Sequence, residues 1–175
     1  MTIAALFVRA NSHYKALGLD CYDFERDALT WPGGSPGIFH PPCRSWGRYH
    51  HVAKPRAGEK DLARWAMTNV RRFGGVVEHP ITSRLWKEWF CLAFGVRDDF
   101  GGVLLPLNQS WFGHLAPKPT ALYIVGCAVP DLAQHYSEEL AVGRIENMST
   151  AQRETTPLPF ARFLVDLVNT CKAVS

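Results

Sequence analysis

A chain of 175 residues, 47% hydrophobic and 20% charged, has the length and composition of one globular domain, which excludes fibrous and disordered classes. About 70% of the surface of such a chain is removed from water on folding, so stability requires neither metal nor disulfide. A net charge of +3 does not by itself announce a polyanion partner.

In chain order, residues 3–8 form an apolar run of strand length, and residues 19–22 form a weaker second run before a polar segment. The turn sequence Trp31-Pro-Gly-Gly-Ser-Pro-Gly37 leads into Ile38 and Phe39 and then His40-Pro-Pro-Cys43. A strand stops there, because consecutive prolines cannot donate to a ladder. Residues 59–73 are predicted to be helical, with Leu62, Trp65, Ala66, Val70 and Phe73 at helical spacing and Gly74-Gly75 as the stop. Val76-Val77 predicts a short strand that ends in Glu78-His79-Pro80. Residues 83–94 are predicted to form a helix, residues 103–107 and 121–125 strands, and residues 160–171 a last amphipathic helix begun by Thr156-Pro157-Leu158-Pro159.

Alternating strands and helices imply an α/β sheet with parallel segments, in one domain over residues 1–175. Ligands of such sheets gather outside the carboxyl ends of the strands. Both His40-Pro-Pro-Cys43 and Glu78-His79-Pro80 fall at such ends. Cys43, on a rigid turn beside Arg44, is expected to be an accessible and partly ionised thiolate; the alternative is a buried small hydrophobe. Glu78 stands where periodicity expects burial, which would raise its pKa and make it an acid or hydrogen-bond donor; the alternative is a cap or an ion pair.

Together the two motifs resemble, in order and spacing, the catalytic core of the DNA cytosine-5 methyltransferases. Pro42-Cys43 matches the family's Pro-Cys nucleophile, Glu78-His79-Pro80 its Glu-Asn-Val signature, and Gln109-Ser-Trp-Phe-Gly113 its Gln-x-x-(Tyr/Phe)-Gly segment. The resemblance spans residues 38–126 and extends to small bacteriophage-encoded proteins with the same His-Pro-Pro-Cys and Glu-His-Pro pair. It implies a Rossmann-like methyltransferase-type fold and a transferase that modifies a pyrimidine base of DNA or of a nucleotide. Cys43 would be the nucleophile and Glu78 the acid, with Arg44, Ser45, Trp46, His79 and Gln109 around the substrate. The family's Phe-x-Gly-x-Gly loop for S-adenosylmethionine has no counterpart in Ala5 to His13, and its large target-recognition region has no room here. The resemblance therefore leaves the cofactor open, with Asp20 and Asp23 as candidate carboxylates for a hydroxyl-rich ligand.

Residues 44–72 carry Arg44, Arg48, Lys54, Arg56, Lys60, Arg64, Arg71 and Arg72 against Glu59 and Asp61. Arg48, Lys54, Arg56 and Lys60 lie in or next to a polar segment expected to form a mobile loop over the site. They could neutralise phosphates while Trp46 and Tyr49 stack on a base; a solvated surface loop is the alternative.

Two rival readings remain. His40, Cys43 and His79, with His114 as a further candidate, form a chemically sensible zinc shell for a hydrolase in which Glu78 is the general base. Alternatively the chain is a catalytically degenerate module that binds nucleic acid or a host protein. Five cysteines without a C-x-x-C pair signal no disulfide framework and imply a reducing cytoplasm, or a host cytoplasm if the protein is phage-encoded. No apolar run reaches the ~20 residues that span a bilayer, and no basic region precedes the first one, so neither membrane nor export is expected.

Overall fold

The computed structural model describes residues 2–89, 93–137 and 143–172. Six strands form one mixed sheet: β1 Ala4–Leu6, β2 Asp20–Tyr22, β3 Gly37–Phe39, β4 Gly75–Pro80, β5 Val103–Asn108 and β6 Pro119–Val125, in the order β2-β1-β3-β4-β6-β5. The first four are mutually parallel, and β6 runs antiparallel to both β4 and β5. The helices are α1 His13–Ala16, α2 Glu59–Phe73, α3 Arg84–Glu88, α4 Thr150–Glu154 and α5 Leu158–Asn169. The expected α/β class with parallel segments is therefore present.

Alternation along the strands divides the core between the two faces of the sheet. Leu6, Phe39, Val77 and Tyr123 pack on one side with Ala63, Ala66, Met67 and Val70 of α2, and with Leu85 and Trp86 of α3. Ala5, Ile38, Val76 and Ile124 face the other side, where Tyr14 of α1 and Phe160, Leu164 and Val168 of α5 cover them. Helix α2 carries Glu59 and Asp61 in its first turn and Arg71 and Arg72 in its last, each sign complementing the helix dipole, and it stops at Gly74 with φ +82°.

Strand β4 ends in Glu78-His79-Pro80 as expected, and antiparallel β6 pairs Glu78 with Leu122, His79 with Ala121 and Pro80 with Thr120. The helix expected to run to Phe94 ends at Glu88, and Phe94 instead bridges to Leu104; residues 90–92 of that expectation lie outside the described residues. Cys127, just beyond β6, and Cys171, just beyond α5, are brought together by the fold. A separation of 44 residues closed only by tertiary packing leaves no local sequence signal for that pair. Among the described residues, no helix is long and apolar enough to cross a membrane.

Candidate active site

The chain leaves β1 for β2 on one side and returns to β3 on the other, so the order reverses between β1 and β3. In parallel sheets that switch point is where the crevice for a ligand opens. His40 follows β3 there. Its backbone N–H continues the ladder by donating to the Leu6 carbonyl at 3.0 Å. Because Phe39 registers with Val77, the next residues His40 and Glu78 sit side by side, on the face that carries Ile38 and Val76.

A line of hydrogen bonds results. His40 Nδ1 lies 3.0 Å from Glu78 Oε2, the Tyr14 hydroxyl lies 2.9 Å from His40 Nε2, and Gln109 Nε2 donates to Glu78 Oε1 at 3.0 Å and to Thr120 Oγ1 at 3.1 Å. The Glu78 side chain is only 12% exposed. Burial pushes its pKa up, but the His40 hydrogen bond and the charges of Lys118, His40 and His79 outweigh that and hold it at about 2. The expectation of a protonated Glu78 is thus reversed: it rests as a carboxylate that accepts on both oxygens. Tyr14 is pushed well above its ordinary range by burial and by Glu78, so its hydroxyl keeps its proton. With Glu78 ionised, the proton between the two groups sits on His40, whose Nδ1–H donates to Glu78 Oε2.

Cys43 begins a tight turn whose rigidity the two prolines announced. Its carbonyl accepts the N–H groups of Trp46 and Gly47 at 2.9 and 2.8 Å. Trp46 anchors the turn: its indole donates to the Lys60 carbonyl of α2 at 3.2 Å, and its own carbonyl accepts the N–H of Arg84 at 2.9 Å. Cys43 itself is exposed. Yet its thiol is pushed above its ordinary range, first by desolvation among its neighbours and then by the charge of Glu78, with Lys118 opposing and Glu154 adding to the shift. The expected low-pKa thiolate is therefore not the resting form. Arg44, the cation assigned to that task, instead pairs with Glu59 at 2.8 Å.

Other candidates are distributed as follows. Trp46 is 2% exposed and held in the core near Lys60 and Arg64, so it cannot stack on a base, whereas Tyr49 is 58% exposed. Ser45 lines an open cavity with Lys60. Arg48 lies over Tyr49 and Arg56 over Phe24, while Lys54 stands exposed in the segment before α2. The segment 48–58 lies in turns that include a bond from the Ala53 N–H to the Tyr49 carbonyl. Asp20 pairs with Arg26 and accepts from the Tyr22 hydroxyl at 3.3 Å. Asp23 accepts from Lys15 at 2.6 Å and from the N–H groups of Glu25 and Arg26.

These placements do not fit S-adenosylmethionine bound as in the methyltransferases. Phe7 takes φ +60° just after β1, and its ring packs edge-on against Trp65. Both carboxylates that could meet a ribose are engaged within the protein.

The proposed zinc shell is not assembled either. Successive strand residues point to opposite faces, so Glu78 joins His40 while His79 turns towards Trp86 and bonds Ser83 Oγ at 2.7 Å. The Pro42 carbonyl acts on the His79 ring, but Nε2 completes no hydrogen bond of ordinary geometry. His114 Nδ1 is taken by its own loop at Ala116. Among the described residues, no three His, Cys, Asp or Glu side chains come together in a way that could hold a metal ion.

Sequence reading missed Tyr14, Thr120, Lys118 and Glu154. Only parallel register could have pointed from Glu78 to His40 as a hydrogen-bond partner; nothing local marks the others, which arrive from α1, β6 and α4.

The site makes folding sensitive to acid. Burial keeps the His79 pKa near 4 instead of 6.5, and Glu78 sits near 2 instead of 4.5. Both folded-state values lie below the unfolded ones, so both contributions are present near neutrality and are lost on acidification. His79 acts between about pH 6.5 and 4, and Glu78 below about 4.5. The melting temperature is expected to fall by roughly 5 °C or more from pH 7 to 4. His79→Gln should flatten the upper part of that curve, and a melting temperature constant over the whole interval would show that neither group is held as described. Comparison with protein-family models, curated proteins and solved structures finds no match to any of them.

Proposed function

We propose that the protein modifies a pyrimidine base of nucleic acid through covalent addition of Cys43, with Glu78 acting on the same ring. The observation that carries this reading is the juxtaposition, at the carboxyl ends of adjacent parallel strands, of an exposed cysteine on an anchored turn and a buried carboxylate whose charge acts on that thiol. The strand order supports a Rossmann-like, methyltransferase-type sheet, because its parallel half reverses at the point where nucleotide ligands bind in doubly wound folds.

The chemistry follows from the protonation states. Once ionised, the Cys43 sulfur adds to C6 of the ring, forming the S–C6 bond and moving the C5=C6 electron pair towards N3 and the exocyclic group. A proton is needed there. Glu78 rests without one, its Oε2 held by the His40 Nδ1–H; it takes up the proton that Cys43 releases on ionisation and passes it to a cytosine N3, which accepts hydrogen bonds. Gln109 fixes the other carboxylate oxygen so that Oε2 keeps its place. C5 becomes nucleophilic towards an electrophile, and loss of its proton with departure of Cys43 restores the double bond. The base must be flipped out or drawn from a single strand to reach the crevice.

A single-stranded oligonucleotide carrying one 5-azacytosine tests this reading, because its electron-poor ring accepts a thiolate at C6 without any electrophile at position 5. The expected result is a protein–DNA adduct whose mass and peptide map place the bond at Cys43, absent in Cys43→Ser. No adduct with 5-azacytosine DNA over the pH range 7 to 9, in folded protein with a reactive Cys43, counts against the function.

A further inference from the structure

On the α2 and α3 side of the Cys43 turn lies an open cavity of about 320 Å³, lined by Ser45, Trp46, Lys60, Arg84, Lys87 and Glu88. Its charge is one-sided. Arg64 bridges two carboxylates, donating to Glu88 at 2.6 and 3.1 Å and to Asp61 at 2.7 Å, and the charge of Lys60 also acts on Glu88. Among the described residues, Lys60, Arg84 and Lys87 form no ion pair; Lys60 lies over the Trp46 ring and Arg84 meets His50 Nε2 at 2.8 Å. Lys60, Arg84 and Lys87 therefore converge on one concavity and, with Arg64, outnumber the carboxylates Glu88 and Asp61 beside it. Ser45 is among the lining residues, and its Oγ, itself buried, has no protein partner. Arg84 and Lys87 are one turn apart on α3 and both exposed, so they present their charges without a cost in core packing.

Concentrated positive charge from exposed arginine and lysine side chains in one concavity is the donor set that a phosphate oxygen requires. The turn that lines this cavity with Ser45 and Trp46 begins at Cys43, which is exposed, so the cavity and the nucleophile share one turn. We infer that the cavity binds a backbone phosphate of the substrate strand, and hence that the substrate is a polynucleotide and not a free nucleotide. This rests on the base-modifying reading for its substrate but not for its cations, which can be tested alone.

The experiment measures binding of a fluorescein-labelled 12-nucleotide single-stranded DNA by anisotropy at several salt concentrations from 50 to 200 mM, with folding of each variant checked by melting temperature. Wild type and Cys43→Ser are expected to bind alike. Arg84→Ala/Lys87→Ala is expected to bind at least tenfold more weakly at 50 mM salt, with the slope of log affinity against log salt reduced by about 1 to 2. Lys87→Glu alone should weaken binding in the same direction. Unchanged affinity and slope in both variants would overturn the inference, as would a wild type that binds no DNA at 50 mM salt. Perturbation of the Arg84 and Lys87 resonances by inorganic phosphate, together with DNA binding indifferent to their loss, would also overturn it by reducing the cavity to a free-phosphate site. Adduct failure with variant-sensitive DNA binding would instead remove the Cys43 chemistry and leave this site standing.

Discussion

Gly75→Ala is expected to leave little or no folded protein at 37 °C. Gly75 opens β4 at φ +115°, a conformation that side chains oppose. A Cβ there would lie within 2.6 Å of the Gly37 nitrogen and closer still to the Gly37 carbonyl oxygen. Those are backbone atoms of the paired strand, which cannot turn aside as the end of a flexible side chain can. Gly37 and Gly75 are also the first partners in the β3 and β4 register. Pushing them apart displaces the ladder that sets His40 beside Glu78. The strain and the lost pairing together are expected to cost about 3 kcal/mol or more, a large share of the ~5–15 kcal/mol that holds a domain folded. Gly18→Ala is the matched comparison. Gly18 also has positive φ, +77°, but nothing lies within 4 Å of its would-be Cβ. It should cost only backbone strain, about 1 kcal/mol. Urea unfolding of the two variants checks the contrast, and equal losses would mean that the strand contact is not what fixes Gly75.

Glu78→Gln is expected to move two reactions of Cys43 in opposite directions. Towards a pyrimidine, adduct formation should slow by on the order of 10²-fold or more, because the amide cannot relay the proton that the ring requires. Towards a small alkylating reagent such as iodoacetamide, Cys43 should react faster at a fixed pH near 8, because one of the charges holding its thiol protonated is gone. A residue that only supported the fold would change both rates together or neither. His40→Ala should share the loss towards the pyrimidine, since it removes the Nδ1–H that holds Glu78 Oε2.

Much of the frame was legible in residues 37–80. Prolines fixed the end of β3, helical spacing and a Gly-Gly stop fixed α2, and a pair of valines located β4. The limits of the reading are physical. Arg44 beside Cys43 in sequence predicted a lowered thiol pKa, but a guanidinium on a turn chooses partners in space, and Glu59 was nearer. Glu78 was expected to be protonated because a carboxylate in an apolar strand loses solvation; the register that delivers His40, and the fold that delivers Gln109 and Lys118, are invisible along the chain. His40 and His79 looked equivalent beside their prolines, yet strand alternation sends them to opposite sides of the sheet. Trp46, read as a stacking platform, is the buried anchor of the turn that carries the nucleophile.

The convergence of thiol and carboxylate is most directly tested by the pH dependence of Cys43 alkylation in wild type and Glu78→Gln, followed by mass spectrometry of the Cys43 peptide so that Cys21 does not contribute. In wild type the rate should still be rising above pH 9, and in Glu78→Gln the whole curve should move to lower pH. Superimposable curves from two folded proteins would contradict the shared site and separate Cys43 from Glu78.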